Sequence, residues 1–195
     1  MDIARPAVGS AVPPRTLIRE LAIAVTWLAA VGLIAVGVSG LLAAVFGATL
    51  GRDFVAGDRP GVTSTSARCA DLREYAPGAN TCRDAATVHH YGEIVDYRIA
   101  AGLLGLGLLG AYLFARRRRW TETSHLPPAF ASTVGVSVFG LAGVALLAFS
   151  ANLAVLGDLS SVGQYLSGGI VSAVVAAAFA WSLLSTLLGR RSPTA

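Results

Sequence analysis

Four long apolar runs, separated by short charged segments, make up most of this chain. The runs that contain no charged residue are 21–50, 99–115, 126–157 and 159–189. About 20 apolar residues in a helix are enough to cross the hydrocarbon core of a bilayer. The pattern therefore predicts four transmembrane helices, which we place at about 17–50, 84–117, 128–156 and 160–189.

The four predicted helices leave no room for a separate soluble domain. Only 13% of the 195 residues are charged, whereas a soluble domain usually has about 25%. We expect 1–195 to form a single membrane domain. Within it, 1–15 is predicted to be a flexible cytoplasmic tail, and 51–90 is predicted to be a cap on the opposite side of the membrane.

The arginines are distributed unevenly between the two sides. If the chain crosses four times, the segments before the first run, between the second and third, and after the fourth share one side, with nine arginines and three acids. The segment 51–98 has six arginines and seven acids. The positive-inside rule then predicts a multi-pass plasma-membrane protein with both termini in the cytoplasm. All 15 basic residues are arginine, which favours a GC-rich bacterial genome and thus a bacterial plasma membrane.

Small residues recur at about one-turn spacing along each run, with glycines 102, 105, 107 and 110 in the second. Small side chains let transmembrane helices approach closely. The simpler interpretation is packing within the bundle, and the alternative is a face that docks a partner. The short connections at 157–161 and 116–128 predict that helices 3 and 4, and also helices 2 and 3, are neighbours.

The two cysteines, Cys69 and Cys82, both lie in the predicted cap. An even number of cysteines in an oxidising compartment predicts a disulfide. A redox pair usually has C-x-x-C spacing, which these two cysteines lack. A zinc site usually has four ligands, and only His89 and His90 could join the two thiols. The predicted fold class is therefore an all-α membrane protein: a four-transmembrane-helix bundle with a disulfide-tied extracytoplasmic loop between helices 1 and 2.

A polar cluster precedes the second apolar run. His89, Glu93 and Asp96 have i, i+4, i+7 spacing and share one helix face. We expect other polar residues at a similar depth to face the same outer vestibule. These further members of the candidate polar cluster are His90, Arg98, Asn152, Asp158 and Gln164.

The cluster has a structural and a functional interpretation. Structurally, Arg98 reaches the lipid headgroups or pairs with Asp96 or Glu93, and Asn152 and Gln164 form hydrogen bonds between helices. Functionally, the cluster binds a ligand or senses pH through histidine. No metal is predicted, although His89, Glu93 and Asp96 form a plausible ligand set.

The sequence contains no nucleotide-binding loop and no nucleophile motif, so no catalytic residue and no cofactor are predicted, and the interpretation leans against an enzyme. The leading hypothesis is a non-enzymatic accessory or scaffold subunit of a membrane complex. Its expected partners are the lipid bilayer and a membrane protein or a second copy, not nucleic acid. The alternative is a small transporter, channel or ligand-binding protein with an outer vestibule lined by His89, Glu93 and Asp96. A third hypothesis is an enzyme that uses Glu93 or Asp96 as acid or base.

Overall fold

The computed structural model describes residues 14–57, 67–117 and 128–189, and this part of the chain is helical, with no strand. Four of its helices are long and apolar enough to cross a membrane, which confirms the predicted four-helix architecture. The predicted tail 1–15 lies outside the described residues except for its last two positions, which begin the first helix. The helices are α1 (Pro14–Leu50), α2 (Arg52–Ala56), α3 (Ala67–Tyr75), α4 (Cys82–Arg117), α5 (Pro128–Val155) and α6 (Val162–Gly189).

The four long helices form two antiparallel hairpins. α1 packs against α4, α5 packs against α6, and α1 joins the two hairpins by packing mainly on α6. The predicted pairing of the third and fourth transmembrane helices, α5 and α6, is confirmed. The predicted contact between the second and third, α4 and α5, is wrong, because in the described chain no Cα of α4 comes within 8 Å of α5.

The hairpin of α1 and α4 is held by direct backbone contact between glycines. A Cβ added to Gly37 would lie 2.5 Å from the Cα of Gly102, and one added to Gly105 would lie 2.8 Å from the backbone nitrogen of Ile34. Glycine permits this close approach. The matching small residues explain why α4 packs on α1 rather than on α5. Packing within the chain is thus confirmed for Gly102 and Gly105, whereas a Cβ added to Gly107 or Gly110 would meet no atom within 4 Å.

The hairpin of α5 and α6 uses the same device. A Cβ on Gly143 would lie 3.1 Å from the backbone nitrogen of Ala173. Nearer the chain termini, the ring of Phe179 lies 5.2 Å from that of Trp27 and 5.8 Å from that of Phe139. This aromatic cluster joins α1, α5 and α6 at what we call the termini end of the bundle.

The opposite end, the cap end, carries α2, α3 and the disulfide. The predicted disulfide between Cys69 and Cys82 is present and ties α3 to the start of α4. α2 lies against α1, α4 and α6. The carbonyl oxygen of Asp53 accepts a 3.2 Å hydrogen bond from the backbone N–H of Ser161, which fastens α2 to the connection between α5 and α6.

Candidate functional site

A cavity of 560 Å³ lies between α1, α5 and α6. It exists because, among the described residues, α1 and α5 touch only marginally and α4 does not pack on α5, which leaves the described bundle open on that side. Most of its wall is apolar. The larger aliphatic side chains and the phenylalanine that line it are Leu28, Val36, Val134, Val138, Phe139 and Leu146.

Arg98 is the charged residue that α4 contributes to this cavity, at its cap end. The side chain leaves α4 beside Gly40, where a Cβ added to the glycine would lie 2.6 Å from the Cβ of Arg98. The guanidinium then reaches α6. Nη1 donates to the hydroxyl of Ser167 at 3.1 Å, and Nη1 and Nη2 both donate to the carbonyl oxygen of Gln164 at 3.4 Å.

Ser167 receives Arg98 in a buried position. Its side chain is fully buried, and its hydroxyl also donates to the carbonyl oxygen of Gln164 at 3.0 Å. The hydroxyl therefore accepts a hydrogen bond from Arg98 and donates one to Gln164, so the three residues form one small network. Such networks fix side-chain geometry when their members are satisfied.

The network supplies Arg98 with dipoles but with no negative charge. Among the described carboxylates, none forms an ion pair with Arg98, so the pairing with Asp96 or Glu93 expected from the sequence does not occur. Its hydrogen bonds use three of the five guanidinium N–H groups. The nearby N-terminus of α6 is the positive end of that helix dipole. Arg98 thus brings a positive charge and further donors to an apolar cavity.

Glu93 and the two histidines form a separate group on α4. The carboxylate oxygens of Glu93 lie 3.6 Å from Nδ1 of His89 and 3.5 Å from Nδ1 of His90. The His89 ring also meets the ring of Tyr75 on α3 edge-on, with centroids 5.3 Å apart. This group connects the cap helix α3 to α4.

The other members of the predicted cluster lie apart. Asp96 and Asn152 are exposed. Asp158 accepts hydrogen bonds from the backbone and hydroxyl of Ser160 and stabilises the turn between α5 and α6. In the described part of the chain, no group of three or more His, Cys, Asp or Glu side chains is arranged to hold a metal ion. Gln164 is the member that the fold brings to Arg98, through its backbone carbonyl.

Sequence reasoning missed Ser167 and Tyr165. Ser167 reads as one more small residue of a transmembrane helix, and its position one turn after Gln164 was the available signal. Tyr165 was not among the predicted site residues. In the structure it lines the cavity and packs edge-on against Phe149, with centroids 4.7 Å apart.

No protein-family model, curated protein or solved structure matches this chain.

Proposed function

We propose that this chain is a ligand-binding integral membrane protein whose ligand occupies the cavity between α1, α5 and α6. The observation that carries the proposal is an apolar cavity of 560 Å³ headed by Arg98, which no described carboxylate neutralises. Ligand sites are usually about 300–1,000 Å³, mostly apolar, with a few placed polar groups. Ligand binding is the alternative hypothesis from the sequence, which expected the ligand at His89, Glu93 and Asp96. We now propose the cavity as the binding site instead.

The energetics of Arg98 support a ligand. A charge removed from water is costly unless it is paired, and charged residues in transmembrane segments are a mark of functional sites. A serine hydroxyl and a carbonyl stabilise the guanidinium only as dipoles. A ligand that brings a negative or strongly electronegative group would complete the coordination.

We place the protein in a bacterial plasma membrane, with both termini in the cytoplasm and the cap outside. Two observations support this orientation. The segments assigned to the cytoplasm hold nine arginines and three acids. The disulfide between Cys69 and Cys82 lies at the cap end, and disulfides persist in oxidising compartments.

An accessory or scaffold role is the second candidate. Support for this role comes from α4. Only 6% of the most apolar 18-residue stretch of α4 is buried inside the chain, against 17–22% for the corresponding stretches of the other three long helices. A Cβ at Gly107 or Gly110 would meet no atom within 4 Å, so a partner helix or a second copy could approach there. Crosslinking mass spectrometry on native membranes tests this role, and recovery of the chain as a lone monomer would count against it.

A pair of alanines on α5 tests the ligand site. Ala142 lines the cavity, whereas Ala145, less than one turn away, is exposed and does not. Native mass spectrometry of protein purified in a mild detergent should show a bound small molecule that Ala142→Trp loses and Ala145→Trp keeps. Identical spectra for the two variants and the unmodified chain would refute the proposed site.

A further inference from the structure

We propose that the cavity holds one acyl chain of an anionic phospholipid from the cap-side leaflet, with the lipid phosphate bound to Arg98. This inference rests on the proposed function and names the class of its ligand. Three observations lead to it: the position of Arg98 at the end of the uncharged stretch 99–115, the length of the cavity, and the side on which the described bundle is open.

Arg98 lies at the level where the hydrocarbon core is expected to begin. On its cap side, α4 carries the exposed carboxylates Glu93 and Asp96. On its other side, 99–115 contains no charged residue. Charged side chains avoid the hydrocarbon core, so the boundary on α4 falls near Arg98. That is the depth at which a phospholipid places its phosphate.

The cavity extends from Arg98 toward the termini end by the depth of one leaflet. Its residues on α1 run from Leu28 to Ser39, a separation of 11 positions, or about 16 Å at about 1.5 Å per helical residue. Half of the hydrocarbon core is about 15 Å. The cavity therefore matches one acyl chain that hangs from a head at Arg98, while a soluble anion would leave its apolar length unfilled.

The open side of the bundle gives a lipid direct access. No Cα of α4 lies within 8 Å of α5 in the described chain, and α1 and α5 touch only marginally. A lipid can enter laterally through this gap and leave its second acyl chain in the bilayer. A ligand from the aqueous side would have to pass α2, which lies across the cap end against α1, α4 and α6.

The net charge of the lipid is set by Arg98. A zwitterionic lipid brings its own cation, whereas an anionic lipid supplies a net negative charge, and none of the described carboxylates pairs with Arg98. Charge-assisted hydrogen bonds from guanidinium to phosphate are among the stronger ones in proteins. A zwitterionic and an anionic lipid offer the same phosphate, so this bond alone does not discriminate between them. The cation that the zwitterionic lipid places near Arg98 does, and we expect a preference of about tenfold, which corresponds to about 1.4 kcal/mol.

The test uses the full chain in nanodiscs made of equal amounts of phosphatidylglycerol and phosphatidylcholine with identical acyl chains. Native mass spectrometry of the released protein measures the ratio of the two lipids that remain bound. The unmodified chain should be enriched about tenfold in phosphatidylglycerol. Arg98→Gln should abolish the enrichment, and Arg52→Gln, which removes an exposed arginine of α2, should keep it.

Two additions keep the test decisive. Should Arg98→Gln fail to fold, Arg98→Lys, which keeps the positive charge, should keep the enrichment, whereas Ala142→Trp, which fills the cavity, should remove it. Enrichment that persists in Ala142→Trp would contradict the inference. Excess glycerol phosphate should not displace the lipid, and displacement would show a site for soluble phosphate instead.

The remaining outcomes separate this inference from the proposed function. Equal retention of both lipids, lost in Ala142→Trp, would overturn the anionic-lipid inference and leave the ligand site standing. A protein partner seated in the gap in place of lipid would overturn the inference. The absence of any bound molecule from every variant would overturn both proposals.

Discussion

The guanidinium of Arg98 on α4 donates a 3.1 Å hydrogen bond to the hydroxyl of Ser167 on α6, although the backbones of these two helices do not pack together. One long side chain thus spans a separation that the helices leave open. The same side chain lines the cap end of the cavity between α1, α5 and α6.

Ser167→Ala should destabilise the bundle by about 0.6–2 kcal/mol, the range for hydrogen bonds between transmembrane helices, because it removes an acceptor from a partly buried guanidinium. Unfolding by steric trapping in detergent measures the change. Ser137→Ala is the matched control, since that exposed hydroxyl donates to the carbonyl oxygen of Thr133 on its own helix. Equal effects of the two substitutions would contradict a special role for Ser167.

Gly102→Ala should destabilise the hairpin of α1 and α4. Overpacking costs about 1–3 kcal/mol and outweighs the gain of about 1 kcal/mol in helix propensity, because the new methyl would overlap the backbone of Gly37. Gly107→Ala on the same helix meets no atom within 4 Å and should leave stability unchanged or raised. Thermal unfolding of both variants in one detergent makes the comparison. A stable Gly102→Ala protein would rule out the close backbone contact.

Reduction of the disulfide between Cys69 and Cys82 should loosen the cap without unfolding the bundle. A bridge between residues 13 positions apart contributes about 3 kcal/mol on the chain-entropy model, and it ties α3 to α4, whereas the glycine contacts of the hairpins do not involve it. Hydrogen exchange should rise in 67–81 after reduction and stay constant in α5 and α6. A uniform rise along the chain would show that the cap is needed for the whole fold.

The proposed orientation can be tested at Gly78. This residue is exposed, and a Cβ there would meet no atom within 4 Å, so Gly78→Cys should be tolerated. In a chain with Cys69→Ser and Cys82→Ser, a membrane-impermeant maleimide should label this cysteine on intact cells. The counterpart Ser192→Cys, near the C-terminal end of the sequence, should react only after the cells are opened. The reverse labelling pattern would invert the assignment of the two sides.

The hydrophobic pattern predicted the helices well because their length and bounds depend on each residue's own preference for lipid or water. The described bounds of the four long helices differ from the predicted ones by at most three residues. The disulfide between Cys69 and Cys82 was predictable for a related reason, since two cysteines in an oxidising compartment are expected to pair whatever the packing of the helices.

The partner of Arg98 could not be predicted from the sequence, because it depends on how helices align with one another. The close contact of Gly40 with Arg98 fixes the position of α4 along α1, and that alignment brings the guanidinium within reach of Ser167 on α6. Helical spacing did place Glu93 beside His89, because a single helix fixes that relation. Asp158 was assigned to the same cluster by depth alone, and its contact lies within its own turn.

The separate interfaces of the two hairpins have a consequence for biogenesis. Each hairpin carries its own glycine contacts, Gly37 with Gly102 and Gly143 with Ala173, and the seam between the hairpins runs chiefly along α1 and α6. We therefore expect each half to insert and pair on its own, with the seam forming last. Two fragments divided within 118–127 and expressed together should then assemble into the complete four-helix bundle, as expected if the two halves are independent units of membrane insertion.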